Sequence, residues 1–164
     1  MRIALGSDER SPLTEFVEAE LRRRGHDVDL FGPPSGDASP WPDVAEAVAK
    51  RVASGEADEG VLFCWTGTGV SIAANKVPDV RAALCGDAET ARGARAWNQA
   101  NVLCMSLAAT SQEVAGGILD AWFSAEADAS EAENVEKVKA LDRRYRAREG
   151  ARPAARTTEE GSTD

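Results

Sequence analysis

The chain has 164 residues, 28 acidic against 19 basic, for a net charge of −9, and 43% of its residues are hydrophobic. That length suits one domain with a sizeable core, and the acidity argues against a nucleic-acid partner. No run reaches the roughly 18 apolar residues of a membrane span, and three widely spaced cysteines are the wrong number for a disulfide framework, which makes the cytoplasm the expected compartment.

The first predicted element is a buried strand over residues 2–7, with Ile3, Ala4 and Leu5. The chain turns acidic at Asp8-Glu9, so its start does not read as a signal peptide. Leu13, Phe16, Val17 and Leu21 recur at helical spacing and predict a helix over 12–24, stopped by Gly25. Alternation of Val28 and Leu30 with aspartates predicts a strand over 27–31. Residues 32–42 hold four prolines and two glycines and read as a loop. Val44, Val48 and Val52 mark the next helix, and residues 59–64 a third strand. A helix to about Lys76 follows, then a fourth strand over 80–85. Asp87 is the expected N-cap of a helix to Trp97. A fifth strand covers 101–106. Thr110 with Glu113, and Ser130 with Glu133, read as capping boxes for two last helices. The domain is expected to span 1–148, and the polar segment 149–164 to be a disordered tail.

Alternating strands and helices predict an α/β fold: a three-layer αβα sandwich around a five-stranded, parallel, doubly wound, Rossmann-like sheet. Right-handed crossovers bring the carboxyl ends of all strands to one edge, where ligands bind. His26, the one histidine, lies on a helix-to-strand connection at the other edge and is a poor catalytic candidate.

The segment from Cys64 to Lys76, CWTGTGVSIAANK, stands out. A buried strand delivers a thiol to two Thr-Gly pairs at a helix start. Glycines let backbone N–H groups face a ligand, and a helix start favours an anion. Cysteine is a base or nucleophile when activated. The pattern lacks the Lys-Ser/Thr end of a P-loop and is not a dinucleotide fingerprint. A plain strand-to-helix turn is the alternative. Cys85 and Cys104 are also expected at strand carboxyl ends and read as core; a shared metal site has no CxxC pair or nearby histidine behind it. Asp8 and Glu9 end the first strand at the same edge, either as acid–base pair or as turn cap and solvated charge. Trp65 and Trp97 read as core or as platforms for a sugar face, and Arg92 and Arg95 as a solvated helix face.

Gly6-Ser7-Asp8, the Cys64–Lys76 block, Val80-Arg81-Ala82 and Asn98 through Leu103 together resemble the ribose-5-phosphate isomerase B and galactose-6-phosphate isomerase family, over residues 1 to about 139. The resemblance implies metal-free, cofactor-free interconversion of aldose and ketose phosphates through an enediolate, by homodimers or homotetramers with sites at the subunit interface. It implies Cys64 as the proton-moving base, with Val70 where another branch has a glutamate. Thr66, with Asp8 or Glu9 moving hydroxyl protons, completes the expected catalytic set; by the resemblance Asp8 matches a substrate-binding position. Trp65, Gly67, Thr68, Gly69, Ser71, Trp97, Asn98 and Lys137 are the expected substrate contacts. The chain departs from the family pattern at Glu9 and Trp97, where histidines are usual, at Trp65, usually small, and at Ala108, Glu133 and Lys137, where arginines grip the phosphate. Three readings stay open: an isomerase or epimerase with an altered sugar substrate, an ordinary ribose-5-phosphate isomerase, and a non-catalytic sugar-binding paralogue.

Overall fold

The computed structural model describes residues 1–149. The segment expected to be a tail lies outside them, except Glu149, the last residue of the final helix. The chain runs β1 (Arg2–Ser7), α1 (Pro12–Arg23), β2 (Asp27–Phe31), α2 (Trp41–Ala53), β3 (Glu59–Cys64), α3 (Thr68–Ala74), β4 (Ala82–Leu84), α4 (Ala88–Asn98), β5 (Val102–Ser106), α5 (Gln112–Ser124) and α6 (Ala132–Glu149). All strand pairs are parallel, in the order β2-β1-β3-β5-β4, as the alternation predicts.

Each inner strand feeds both faces, because successive side chains point to opposite sides. Ile3, Leu5, Val61, Phe63, Leu103 and Met105 pack under α1, α4 and α5. Ala4, Leu62, Cys64, Val102 and Cys104 pack under α2 and α3. Helix α2 lies close to β1: a Cβ on Gly6 would stand 2.6 Å from Val44 Cγ1. Any larger residue there would push α2 off the sheet.

Several local expectations need correction. Residues 33–35 form a 3-10 turn within the predicted loop, and α2 already starts at Trp41, where Pro42 suits a first helical turn. Helix α3 ends at Ala74, short of Lys76, and β4 keeps only three residues. The Asn75 side chain bonds the outer edge of β4, accepting from Ala82 N at 2.9 Å and donating to Ala82 O at 2.8 Å. Just before β4, Asn101 bonds Arg81 N and Asp79 O, at 2.7 and 2.9 Å. Ser111, not Thr110, caps α5 by accepting from Val114 N. Asp128 caps the short turn before α6 in place of the Ser130–Glu133 box. Asp87 caps α4 as expected.

Arg95 is not a solvated residue. Its Nη2 lies 2.7 Å from Glu59 Oε1, its Nη1 donates to Ala100 O at 2.6 Å, and its guanidinium lies over the Trp122 ring. Trp122 Nε1 donates to Glu59 Oε2 at 2.5 Å. Burial pushes the Glu59 carboxyl up from its ordinary range, opposed by Trp122 and Arg95. Removing one member of such a pair leaves the other charge buried and unmatched, whereas replacing both with apolar residues is far milder. Glu59→Gln is therefore expected to lower unfolding free energy by about 3 kcal/mol in urea titrations, and Glu59→Gln/Arg95→Met, which removes both charges but keeps an acceptor for Trp122 Nε1, by clearly less.

Candidate active site

In this strand order β2 and β3 flank β1 on opposite sides, so a crevice opens beyond the carboxyl ends of β1 and β3. Ser7 pairs with Phe63 in register. The residues that follow, Asp8 and Cys64, therefore leave adjacent strands at the same level. Both line a cleft of about 350 Å³, together with Trp41, Trp65, Thr66, Thr68 and Gly69.

The turn after Cys64 is held from two sides. Gly67 N and Leu107 N donate to Cys64 O at 3.2 and 3.0 Å. Ser106 Oγ and Ala108 N hold Trp65 O at 2.8 and 3.0 Å. Gly67 sits at φ 74°, where a Cβ would stand 2.9 Å from the Met105 carbonyl carbon, so the turn tolerates only glycine. With Gly67 as N-cap, no side chain caps the first amides of α3. The Thr66 and Thr68 hydroxyls share a 2.6 Å hydrogen bond. Among the described residues lining the cleft, Asp8 alone carries charge.

Six of the expected residues line this cleft, Asp8, Cys64, Trp65, Thr66, Thr68 and Gly69, and Gly67 shapes the turn between them. The others do not. Glu9 is exposed beyond the cleft, its N–H tied to Ser7 Oγ at 3.2 Å. Ser71 is half-buried on α3 and is not among the residues that line the cleft. Trp97 and Asn98 end α4, which runs back to the amino edge of the sheet. They line a separate cleft of about 430 Å³ with Arg81, Asn134, Val138 and Leu141. Lys137 is exposed on α6, paired with Glu133 at 2.8 Å. Trp65 and Trp97 are both exposed rather than core. Trp41 escaped the sequence reading, although Pro-Trp-Pro marks a helix start after a strand's carboxyl end.

His26 is half-buried at the opposite edge, its ring 4.6 Å from that of Phe123. Burial lowers its pKa below the ordinary histidine range. The three cysteines are free and buried. Cys104 lies inside β5 rather than at its end. No group of His, Cys, Asp and Glu among the described residues is arranged to hold a metal ion.

Residues 3–141 match the family described as Ribose/Galactose Isomerase. This chain belongs to the ribose/galactose isomerase family. The isomerase is 36% identical to ribose-5-phosphate isomerase B of Escherichia coli K12 over 145 residues, 87% of this chain and 97% of that one. It is 36% identical to D-erythrulose-4-phosphate isomerase of Pectobacterium atrosepticum over 141 residues, 84% of this chain and 93% of that one. The solved structure of Clostridium thermocellum ribose-5-phosphate isomerase B superposes with a TM-score of 0.82 at 36% identity, covering 88% of this isomerase and 99% of that chain.

Burial drives the Cys85 thiol up to about 12, and the Cys104 thiol upward as well. At pH 8 both stay protonated and unreactive, while Cys64 faces the cleft. Iodoacetamide at pH 8 is expected to modify Cys64 first in the folded isomerase, and Cys85 and Cys104 only after unfolding, as read by peptide mass spectrometry.

Proposed function

We propose that this isomerase interconverts an aldose and a ketose through an enediolate, with Cys64 as the base. The observation that carries the reading is the placing of one thiol, one carboxylate and an uncapped amide turn around a single cleft. The Cys64 sulfur takes the proton from C2 of the open-chain aldose. The C1 carbonyl oxygen becomes the enediolate oxygen, held by the amides of the turn. Asp8 carries the hydroxyl proton from O2 to O1, and Cys64 returns its proton to C1. Carbon-bound and oxygen-bound protons are each conserved.

The substrate in this reading differs from ribose 5-phosphate or carries its phosphate outside this cleft. No lysine or arginine is among the cleft's lining residues, and the Glu133–Lys137 pair is a weak grip for a dianion. A second copy completes the site. One protomer's topology sets Trp97 and Asn98 at the edge opposite Cys64, so these groups reach a thiol only across an interface. Exposed Ile72, Leu84, Val138 and Leu141 supply an apolar surface for such a contact. Three free thiols suit a reducing compartment, and this reading assigns the cytoplasm. No described helix is long and apolar enough to cross a membrane.

The test is proton exchange in deuterated water with aldoses, ketoses and their phosphates. Deuterium should enter at C1 or C2 of at least one sugar, and Cys64→Ser should slow it by about 10²-fold or more; exchange that survives the substitution would sink the assignment. Because the chain's one histidine lies far from the cleft, an acyclic substrate should react faster than its cyclic counterpart. Equal rates under conditions of slow spontaneous ring opening count against this. Light scattering should give at least a dimer, and Leu141→Lys should shift it toward monomer with loss of exchange.

A further inference from the structure

We infer that Trp41, paired with Trp65, is a specificity-determining residue of the Cys64 cleft, an aromatic wall that binds the C–H face of the sugar's carbon chain. The inference rests on the isomerase reading for what enters the cleft. It does not depend on which residue moves the proton.

Trp41 and Trp65 are 41% and 66% exposed. Tryptophan is normally highly buried, and a large indole left in water forfeits apolar burial that a ligand can restore. Here two such side chains line one small cleft beside a thiol and a carboxylate.

Trp41 is also held in place before any ligand arrives. It opens α2 between Pro40, the N-cap, and Pro42, and both prolines have fixed φ. Three residues on, Val44 is buried against Gly6 of β1, so the start of α2 cannot slide along the sheet. The indole rests on the backbone of α3: a Cβ on Gly69 would stand 3.2 Å from Trp41 Cε3 and Cζ3. Wall and amide turn are thus one packed unit. A ligand meeting a pre-set ring loses little additional freedom.

The chemistry of the lining names what it recognises. Asp8 and the Thr66 and Thr68 hydroxyls take hydrogen bonds from, or give them to, a polyol. The electron-rich indole faces attract the weakly positive C–H groups between those hydroxyls. The same faces, next to a carboxylate, offer nothing to a phosphate dianion. Trp41 should therefore read the carbon chain and ignore the terminal group.

The experiment titrates Cys64→Ser protein, which lacks the base, with D-ribulose and with D-ribulose 5-phosphate by calorimetry. Trp41→Ala in that background should weaken both sugars by the same factor, about tenfold. Trp41→Phe should stay within about threefold of the parent, because a smaller ring keeps the face. Gly69→Ala retains the indole but forces it to shift by a few tenths of an ångström; it should weaken both sugars too, and it decides the matter if Trp41→Ala does not fold. Unchanged affinity in Trp41→Ala, a loss confined to the phosphorylated sugar, a Phe variant as weak as the Ala variant, or a parent that binds neither sugar each overturns the inference. Binding is read without turnover, so the two ideas fail separately. Sugar binding that needs Trp41, with no deuterium exchange in the unsubstituted protein, would remove the isomerase reading and leave the wall.

Discussion

The Glu59 carboxylate accepts from Trp122 Nε1 and is paired with Arg95 at the same time, and this tie joins α4, α5 and the amino end of β3. Strand β3 is buried along all six residues. Its flanks are paired to β1 and β5, and its two faces are covered by different helix layers. A strand enclosed on four sides has no freedom to slip, because a one-residue shift would send every side chain to the wrong face. Cys64 inherits that rigidity. The Glu59–Arg95 pair anchors the opposite end of the same strand, about five residue steps or roughly 17 Å from Cys64 by strand rise.

Alternating period-2 and helical patterns made the parallel sheet and its order of elements legible, since the rules of parallel crossovers leave few other arrangements. The Cys64 turn was legible for the same reason: a thiol at a strand end, followed by glycines, has few structural uses. What stayed hidden was side chains replacing backbone. Asn101 bonds the peptide groups of Arg81 and Asp79 just before β4, so that strand begins later than its apolar pattern suggests. Arg95 read as solvated because no local pattern announces a partner 36 positions earlier. Ser111 displaced Thr110 as cap because adjacent hydroxyls compete for one helix start, and sequence does not rank them.

The separation of Trp97 and Asn98 from Cys64 has a plainer cause. The rule that set His26 aside, that helix-to-strand connections lie at the amino edge, applies equally to the end of α4. Family resemblance placed these residues in a site; topology places them in a different part of the protomer. The two statements are compatible when two copies share the site, and incompatible for one copy alone. A one-dimensional pattern carries no sign of which copy a residue serves.

Helix α3 has seven residues and no side-chain cap. A segment so short does not hold helical shape by itself in water. Val70 and Ala74, fully buried among side chains of α2 and the sheet, supply what holds it. The amide turn therefore exists only when that layer has assembled around it. A substitution in that layer that loosens Val70 or Ala74 would therefore reach the cleft without touching any residue that lines it.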